Sequence, residues 1–335
     1  MKNLAIATSA ICTVLASNLA IVSCSSAKTP ITVAPKQQLT EASPSSPMTQ
    51  TDDALEQGEL VTQGLNRTFY IHTPPSYSST KSMPLLLVFH GSSGTGRTVA
   101  RVTGFNEVAD REGFVVVYPN GIDRHWHDAR DIFNANVDDI SFTKALINYV
   151  KQTKNIDSRR IYATGMSNGA VFTQTLACAL SDQIAAFATV AGSLPPSLQN
   201  NCKATKPVPI MMINGTDDPI IHYEGGSVGR QGIRGELVSI PETVEFWRRH
   251  NNASVQANRQ ANLDISSNPQ LQVARYTGGQ PGSEVVLVTI EGGKHAWPDG
   301  DYAESRQKPK RGNVSISGIN ASQLIWDFFK QHTLS

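Results

Sequence analysis

One junction in this chain strongly constrains how it can fold. The apolar run at 161–164 passes through the pentapeptide GMSNG at 165–169 into a second run, at 170–180, that has helical character. Glycines on both sides of Ser167 suit a sharp turn in which larger side chains would meet neighbouring backbone. A strand-to-helix turn of this kind leaves a serine hydroxyl clear of the sheet, where it can act as a nucleophile. On its own the pentapeptide also describes an ordinary loop.

Strand-like and helix-like segments alternate along the chain. Alternation of this kind predicts a parallel sheet covered by helices on both faces. In such sheets the loops at the carboxyl ends of the strands meet at one edge, where ligands bind. Apolar runs predict strands at 67–73, 84–89, 113–118, 161–164, 187–190, 208–213 and 285–290, and helical patterns predict helices at 138–153, 170–180, 241–250 and 321–331.

Two of the later predicted strands lead into groups that could activate Ser167. One ends at Asp217 and Asp218, and the other leads through a glycine pair to His295. A serine hydroxyl needs a base to take its proton, usually a histidine oriented by a carboxylate. The chain order serine, aspartate, histidine is that of α/β-hydrolases. We therefore predict an α/β-hydrolase fold with Ser167, one of the two aspartates and His295 as a triad, while the other aspartate caps the turn before Pro219.

The loop after the 84–89 run is glycine-rich and begins with His90 and Gly91. Acyl transfer through a tetrahedral intermediate needs two N–H donors for the negative oxygen. We predict the backbone N–H groups of Asn168 and Ser92 as these donors. Because His90 precedes Ser167, we assign it to the loop and the substrate side of the site rather than to base duty. The alternative is a glycine-rich turn that binds no ligand.

Aromatic residues near the predicted loops could line an acyl pocket. The candidates for contact with substrate are Trp126, Tyr223 and Trp297, together with His90 and His127, and they favour aryl esters. Each aromatic residue could equally belong to the core. The polar stretch 222–284 contains one clear helix and several glycines, which predicts an irregular surface excursion or a partial lid.

The amino terminus is predicted to direct export. Lys2 precedes an apolar stretch that ends in Ile21-Val22-Ser23-Cys24, as in an export signal. The ending resembles a lipobox, which makes Cys24 the predicted lipidation site and a membrane the predicted partner. A plain signal peptide and a retained membrane anchor are the alternatives. We divide the chain into a signal peptide at 1–24, a disordered Ser/Thr/Pro-rich tether at 25–55 and a catalytic domain at 56–335.

Charge and metal-ligand patterns restrict the other partners. Lys and Arg number 29 against 28 Asp and Glu, a net charge of +1, so no nucleic acid partner is expected. Asp138 and Asp139 lack a matching histidine or glutamate cluster, and we expect them to cap and anchor the following helix. No metal or other cofactor is predicted. In an oxidising compartment Cys178 and Cys202 are the candidate disulfide pair, and two free thiols are the alternative.

Taken together, these motifs resemble the poly(3-hydroxybutyrate) depolymerase/feruloyl esterase family of secreted α/β-hydrolases over residues 56–332. The matching motifs are HG at 90–91, VDDISF at 137–142, GMSNG at 165–169, GTDDP at 215–219, IPETVEFW at 240–247, GGKHAWP at 292–298 and LIWDFF at 324–329. The resemblance implies that Asp218, directly before the proline, is the triad aspartate. It also supports Ser167, His295 and the disulfide. Lys294 departs from the family pattern, which often has glycine there.

The chemistry implied is hydrolysis of carboxylic esters through an acyl-enzyme. Candidate substrates are feruloyl or other aryl esters of polysaccharides and hydroxyalkanoate polyesters or oligomers. Two alternatives stay open. One is an acetyl-xylan or general short-chain carboxylesterase, and the other is a surface lipoprotein that uses the fold for binding without turnover.

Overall fold

The computed structural model describes residues 55–130, 132, 136–229, 234–257, 270–280, 282–300 and 319–334. The predicted signal peptide, the tether up to residue 54 and the lipidation site Cys24 lie outside the described residues, so those assignments stay predictions. Within the described part of the chain, no helix is both long enough and apolar enough to cross a bilayer.

A ten-stranded sheet forms the centre of the molecule. Its strands are β1 (Glu56–Thr62), β2 (Leu65–His72), β3 (Met83–Phe89), β4 (Val115–Pro119), β5 (Ile156–Met166), β6 (Ala186–Val190), β7 (Ile210–Gly215), β10 (Val255–Ala257), β11 (Leu271–Thr277) and β12 (Val285–Ile290). Their order in the sheet is β1–β2–β4–β3–β5–β6–β7–β12–β11–β10, and the six strands from β4 to β12 run parallel to one another. Antiparallel strands complete both edges. Two short strands, β8 (Gly226–Ser227) and β9 (Glu236–Leu237), form a separate ribbon.

Helices cover both faces of the sheet, as predicted. Alternate side chains of β3 show why: Leu86 and Val88 pack in one apolar cluster, whereas Leu85 and Leu87 pack in the cluster on the other face. A strand buried on both faces needs a continuous apolar sequence. The helices are α1 (Gly96–Thr103), α2 (Phe105–Glu112) and α7 (Ala321–Phe329) on one face, α3 (Asp139–Thr153), α4 (Asn168–Ala179) and α6 (Ile240–Asn251) on the other, and the short α5 (Pro196–Asn201).

The predicted role of the acidic pair Asp138 and Asp139 at the start of α3 is confirmed. Asp138 is the N-cap of the helix, and its side chain accepts a hydrogen bond from Ser141 N–H. Asp139 is buried and pairs with Arg67 at 2.5 Å between Oδ1 and Nη2. Asp139 also accepts the backbone N–H of His127 through Oδ2, at 2.7 Å, and so anchors the preceding loop.

The polar stretch at 222–284 is more regular than its sequence suggests. The strand β11 pairs antiparallel with β12 and extends the main sheet, and β10 follows it at the edge. The expectation of an irregular excursion therefore does not hold for these segments. The sequence missed β11 because its side chains are mostly half-buried, so the strand does not need the continuous apolar run of a central one.

Cys178 and Cys202 form a disulfide that joins the carboxyl-terminal part of α4 to the end of α5. The two cysteines are 24 residues apart in sequence. A cross-link over a loop of this size stabilises the folded state by about 3 kcal/mol in the chain-entropy account. The bridge therefore fixes the far end of the helix that begins directly after Ser167.

Candidate active site

Ser167 lies on the turn between β5 and α4 with φ 56° and ψ −122°, backbone angles that a non-glycine residue rarely adopts. Its N–H donates to the carbonyl of Val190 at 3.0 Å, which ties the turn to β6. The flanking glycines are required by close packing. A Cβ at Gly165 would lie 2.4 Å from the carbonyl oxygen of Gly169, and one at Gly169 would lie 2.3 Å from that of Phe89. Tertiary packing therefore holds the strained turn in place.

Ser167, His295 and Asp218 are connected by hydrogen bonds. His295 Nε2 lies 2.9 Å from Ser167 Oγ, and His295 Nδ1 lies 2.7 Å from Asp218 Oδ2. A carboxylate only accepts hydrogen bonds, so Nδ1 carries the hydrogen and the lone pair of Nε2 faces the serine hydroxyl. This is the tautomer that a general base needs to take a proton from serine.

The carboxylate of Asp218 is buried and its second oxygen is also satisfied. Asp218 Oδ1 accepts the backbone N–H groups of Ile220 and Ile221 at 2.8 and 3.0 Å. Both oxygens are therefore used, one for the turn after β7 and one for His295. A buried carboxylate held by several donors keeps a fixed orientation toward the imidazole.

The other aspartate of the pair, Asp217, has a different environment. Its side chain is 56% exposed and pairs with Lys294 at 2.9 Å between Oδ2 and Nζ. Its backbone N–H donates to the carbonyl of Gly293. Asp217 thus links the loop after β7 to the loop that carries His295, rather than capping the turn before Pro219. The cation in this ion pair is Lys294, the residue that departs from the family pattern.

Of the two predicted oxyanion donors, Asn168 directly follows Ser167, and Ser92 directly follows Gly91, which packs against Ser167. A Cβ at Gly91 would lie 3.3 Å from Ser167 Cβ, so the loop that contains Ser92 passes directly over the nucleophile position. Asn168 is the first residue of α4, where backbone N–H groups have no partner inside the helix. Among the described residues, neither the N–H of Ser92 nor that of Asn168 is paired with an acceptor.

His90 is a buried support of this loop. Its Nδ1 bonds to the carbonyl of Gly91 at 2.8 Å, and its Nε2 accepts the N–H of Gly121 at 3.0 Å. Burial lowers the pKa of His90 from 6.5 to about 4 and outweighs the bond to Gly91, which raises it. With 1% of its surface exposed and both nitrogens occupied, His90 has no group available to a substrate.

The predicted aromatic pocket residues do not share one environment. Trp126 is fully buried, stacks on Phe172 and donates from Nε1 to the carbonyl of His90 at 2.9 Å. Trp297 is 1% exposed and donates to Ser322, on the opposite face of the sheet from Trp126. Trp126 and Trp297 are therefore core residues, the alternative to pocket residues that the sequence left open. Tyr223 is partly buried, its hydroxyl lies 3.0 Å from Thr289 Oγ1, and its contact with substrate stays a prediction.

Sequence reasoning missed two charged residues next to the site. The side chains of Asp128 and Arg130 are buried and pair with each other, and Asp128 accepts a hydrogen bond from the side chain of Asn168. No motif or periodicity marks them, because they follow Trp126 in a loop. The available signal was two opposite charges two residues apart beside an aromatic residue, which is too common to single out a site.

Known proteins resemble this chain in sequence and in fold. Residues 67–224 match the protein family described as "Esterase PHB depolymerase". "Putative esterase NocK" from Nocardia uniformis subsp. tsuyamanensis is 29% identical over 258 residues, which are 73% of this chain and 74% of that protein. "Feruloyl esterase B" from Piromyces equi is 26% identical over 273 residues, 80% of this chain but only 46% of that protein.

The fold also matches a solved esterase structure. The acetyl xylan esterase from Aspergillus awamori superposes with a TM-score of 0.55 at 14% identity, covering 82% of this chain and 99% of that one. At this identity the likeness concerns the fold, which is that of an α/β-hydrolase. Residues 67–224 of the chain therefore match the PHB depolymerase esterase family, and the chain is a carboxylic ester hydrolase.

Proposed function

We propose that this protein is an exported serine esterase in which Ser167, His295 and Asp218 form the catalytic triad. The observation that carries the proposal is the unbroken hydrogen-bond chain from Ser167 Oγ through both nitrogens of His295 to a buried carboxylate. The order of the three residues along the sequence and the strained turn at Ser167 add support.

The proposed reaction begins when Ser167 Oγ attacks the ester carbonyl carbon and its proton moves to His295 Nε2. Asp218 stabilises the imidazolium and keeps it oriented. The tetrahedral intermediate then expels the alcohol, which takes the proton from Nε2, and leaves an acyl group on Oγ. A water molecule attacks this acyl-enzyme with His295 as the base, and Ser167 Oγ recovers its proton when the acid leaves.

The negative oxygen of the intermediate is proposed to lie between the N–H groups of Ser92 and Asn168. The close passage of Gly91 over Ser167 and the position of Asn168 at the start of α4 support this assignment. Preorganised donors of this type typically contribute 10²- to 10³-fold to kcat.

A fluorophosphonate probe and a chromogenic ester test the triad. We expect the probe to label wild-type protein on Ser167, and we expect Ser167→Ala to lose both labelling and hydrolysis of p-nitrophenyl acetate. Asp217→Asn is the matched control for Asp218→Asn, because only Asp218 contacts His295. Asp218→Asn should lower kcat by about 10⁴-fold, the loss seen when such a carboxylate is replaced. Unlabelled wild-type protein, or equal losses in the two aspartate variants, would refute the triad.

For the acyl group, we propose a hydroxycinnamate ester or a short hydroxyalkanoate ester. The family match and the similarity to a protein named feruloyl esterase B support these two classes. Aryl and hydroxyalkanoate acids differ in width, so a pocket shaped for one should discriminate by kcat/KM.

Methyl ferulate and a 3-hydroxybutyrate trimer separate the two classes, with p-nitrophenyl acetate as the reference for an unselective site. We expect kcat/KM for one of the two esters to exceed that for the reference by at least about 10-fold, the scale of discrimination that pocket contacts supply. A preference for the acetyl ester over both would contradict this proposal and favour the short-chain carboxylesterase alternative.

A further inference from the structure

The side chain of Asn168 is held at all of its polar atoms. Its Oδ1 accepts the backbone N–H of Trp126 at 2.8 Å, and its Nδ2 donates to the carbonyl of Trp126 at 3.0 Å. The remaining hydrogen of Nδ2 goes to Asp128 Oδ2 at 2.6 Å. An amide with every donor and acceptor used has one orientation. The residue directly after Ser167 is therefore clamped to the loop at 126–128.

Asp128 is itself fixed by Arg130. The guanidinium donates from Nε to both carboxylate oxygens, at 3.0 and 3.1 Å, and Nη2 makes a further short contact with Oδ2. The side chains are 1% and 4% exposed. Arg130 Nη1 also donates to the carbonyl of Arg234 at 2.8 Å. Forked bonds of this type hold a carboxylate in a single plane.

We propose that Asp128 and Arg130 are positioning residues for the oxyanion donor at Asn168. The side chain and the backbone N–H of Asn168 share one Cα, so anchoring the amide restrains the direction in which that N–H points. Because α4 begins here, no earlier helical turn restrains it. This inference rests on the proposed triad, since it concerns the tetrahedral intermediate formed at Ser167.

The burial of the pair favours positioning over simple stabilisation. Removing two charges from water carries a desolvation penalty that the attraction between them often only offsets, so such a pair is weak evidence for stability. The ion pair instead orients one neutral amide beside the nucleophile. A displacement of about 1 Å in a catalytic group can lower the rate about 10²-fold.

A double-mutant cycle with Asp128→Asn and Asn168→Ala tests the proposal, with hydrolysis of p-nitrophenyl acetate as the assay. Asn168→Ala keeps the backbone N–H but removes its anchor. We expect each single variant to lower kcat by about 10- to 100-fold with KM changed less than about 3-fold. In the Asn168→Ala background, Asp128→Asn should lower kcat by less than about 2-fold further, because its effect passes through Asn168.

The inhibition constant of a phenylboronic acid distinguishes positioning from a purely structural role, which would leave this constant unchanged. The boronate forms a tetrahedral adduct with the serine and places an oxygen in the oxyanion position. Its inhibition constant should rise by the same factor as kcat falls. Glu284→Gln is the matched control, because it also removes a buried carboxylate from an arginine pair, with Arg275. Glu284 directly precedes β12, at the opposite end of that strand from the loop that carries His295. It should leave kcat unchanged.

Arg130→Lys provides a second variant if Asp128→Asn does not fold, as judged by circular dichroism. Lysine keeps the positive charge but cannot make the forked hydrogen bonds to the Asp128 carboxylate. This variant then takes the place of Asp128→Asn in the double-mutant cycle. Additive losses of kcat in the cycle, or an unchanged boronate constant, would overturn the positioning role while Ser167→Ala still abolishes turnover. No turnover by wild-type protein would overturn the proposed function and this inference together.

Discussion

Burial of the neutral His90 side chain makes the stability of the folded protein depend on pH. Nε2 accepts the N–H of Gly121, so Nδ1 carries the hydrogen and donates to the carbonyl of Gly91. Protonation would place a hydrogen on Nε2 facing another donor. The neutral ring therefore connects the loop after β3 to the loop after β4, and the charged ring could not make both hydrogen bonds.

This environment predicts a loss of stability in mild acid. The unfolded chain takes up a proton at His90 as the pH falls below 6.5, the ordinary pKa of histidine, while burial lowers the pKa to about 4 in the folded protein. Between these values the unfolded state binds more protons, so lowering the pH lowers the free energy of unfolding, by about 3 kcal/mol once pH is below both pKa values.

Urea unfolding of wild type and His90→Gln at about pH 7 and about pH 4.5 measures the effect, since other titrating groups act equally in both proteins. The stability advantage of wild type should shrink by about 2 to 3 kcal/mol at the lower pH. An advantage that is the same at both values would contradict the burial of a neutral His90.

At the scale of elements, the first turn of α4 packs against the end of β3 without room for a side chain. A Cβ at Gly169 would lie 2.3 Å from the carbonyl oxygen of Phe89 and 2.6 Å from that of His90. Both contacts are with backbone, which cannot rotate away. The helix therefore approaches the strand as closely as glycine allows, and this approach sets the position of Ser167.

Gly169→Ala should push the first turn of α4 away from the end of β3. We expect a loss of about 3 kcal/mol or more in the free energy of unfolding together with a fall in esterase activity, because α4 has to shift. Gly64→Ala is the control: its φ is +76°, but its site has no atom within 4 Å, so it carries only backbone strain of about 1 to 2 kcal/mol. Urea unfolding and p-nitrophenyl acetate hydrolysis compare the two. Equal losses would exclude the close approach as the cause.

At the scale of the whole molecule, the parallel sheet brings distant loops to one edge. The loops after β3, β5, β7 and β12 carry Gly91, Ser167, Asp218 and His295, and these four strands run in the same direction. The groups in the hydrogen-bond chain are as far as 128 residues apart in sequence. The disulfide in α4 is consistent with folding in an oxidising compartment, the setting that the proposed export implies.

The proposed lipid anchor is tested on the full-length chain. Cys24→Ala should move the protein from the membrane fraction to the soluble fraction, because the acyl chains on Cys24 would supply the membrane affinity. Cys12→Ala is the control, since Cys12 lies in the segment predicted to be removed. Fractionation and mass spectrometry of the mature amino terminus give the result. Unchanged membrane retention of Cys24→Ala would refute the lipoprotein assignment.

The central elements were predictable because local patterns specify them. A strand buried on both faces, such as β3, needs a continuous apolar run, and the 285–290 run corresponds to β12. The helices α1 and α2 were missed, although each ends at a left-handed glycine, Gly104 and Gly113. Their mixed sequences became helices because one side of each packs on the sheet.

The sequence by itself determined the turn at Ser167, the order of Asp218 and His295 after it, and the strands that carry these residues. Each of these features depends on neighbours in the chain. Only the tertiary structure decided which groups Asn168 and His90 bind, since their partners Asp128 and Gly121 lie 40 and 31 residues away. It also decided that Trp126 and Trp297 belong to the core. The type of a residue fixes what it can bind, but its burial and its partners arise only when the sheet brings separate loops together.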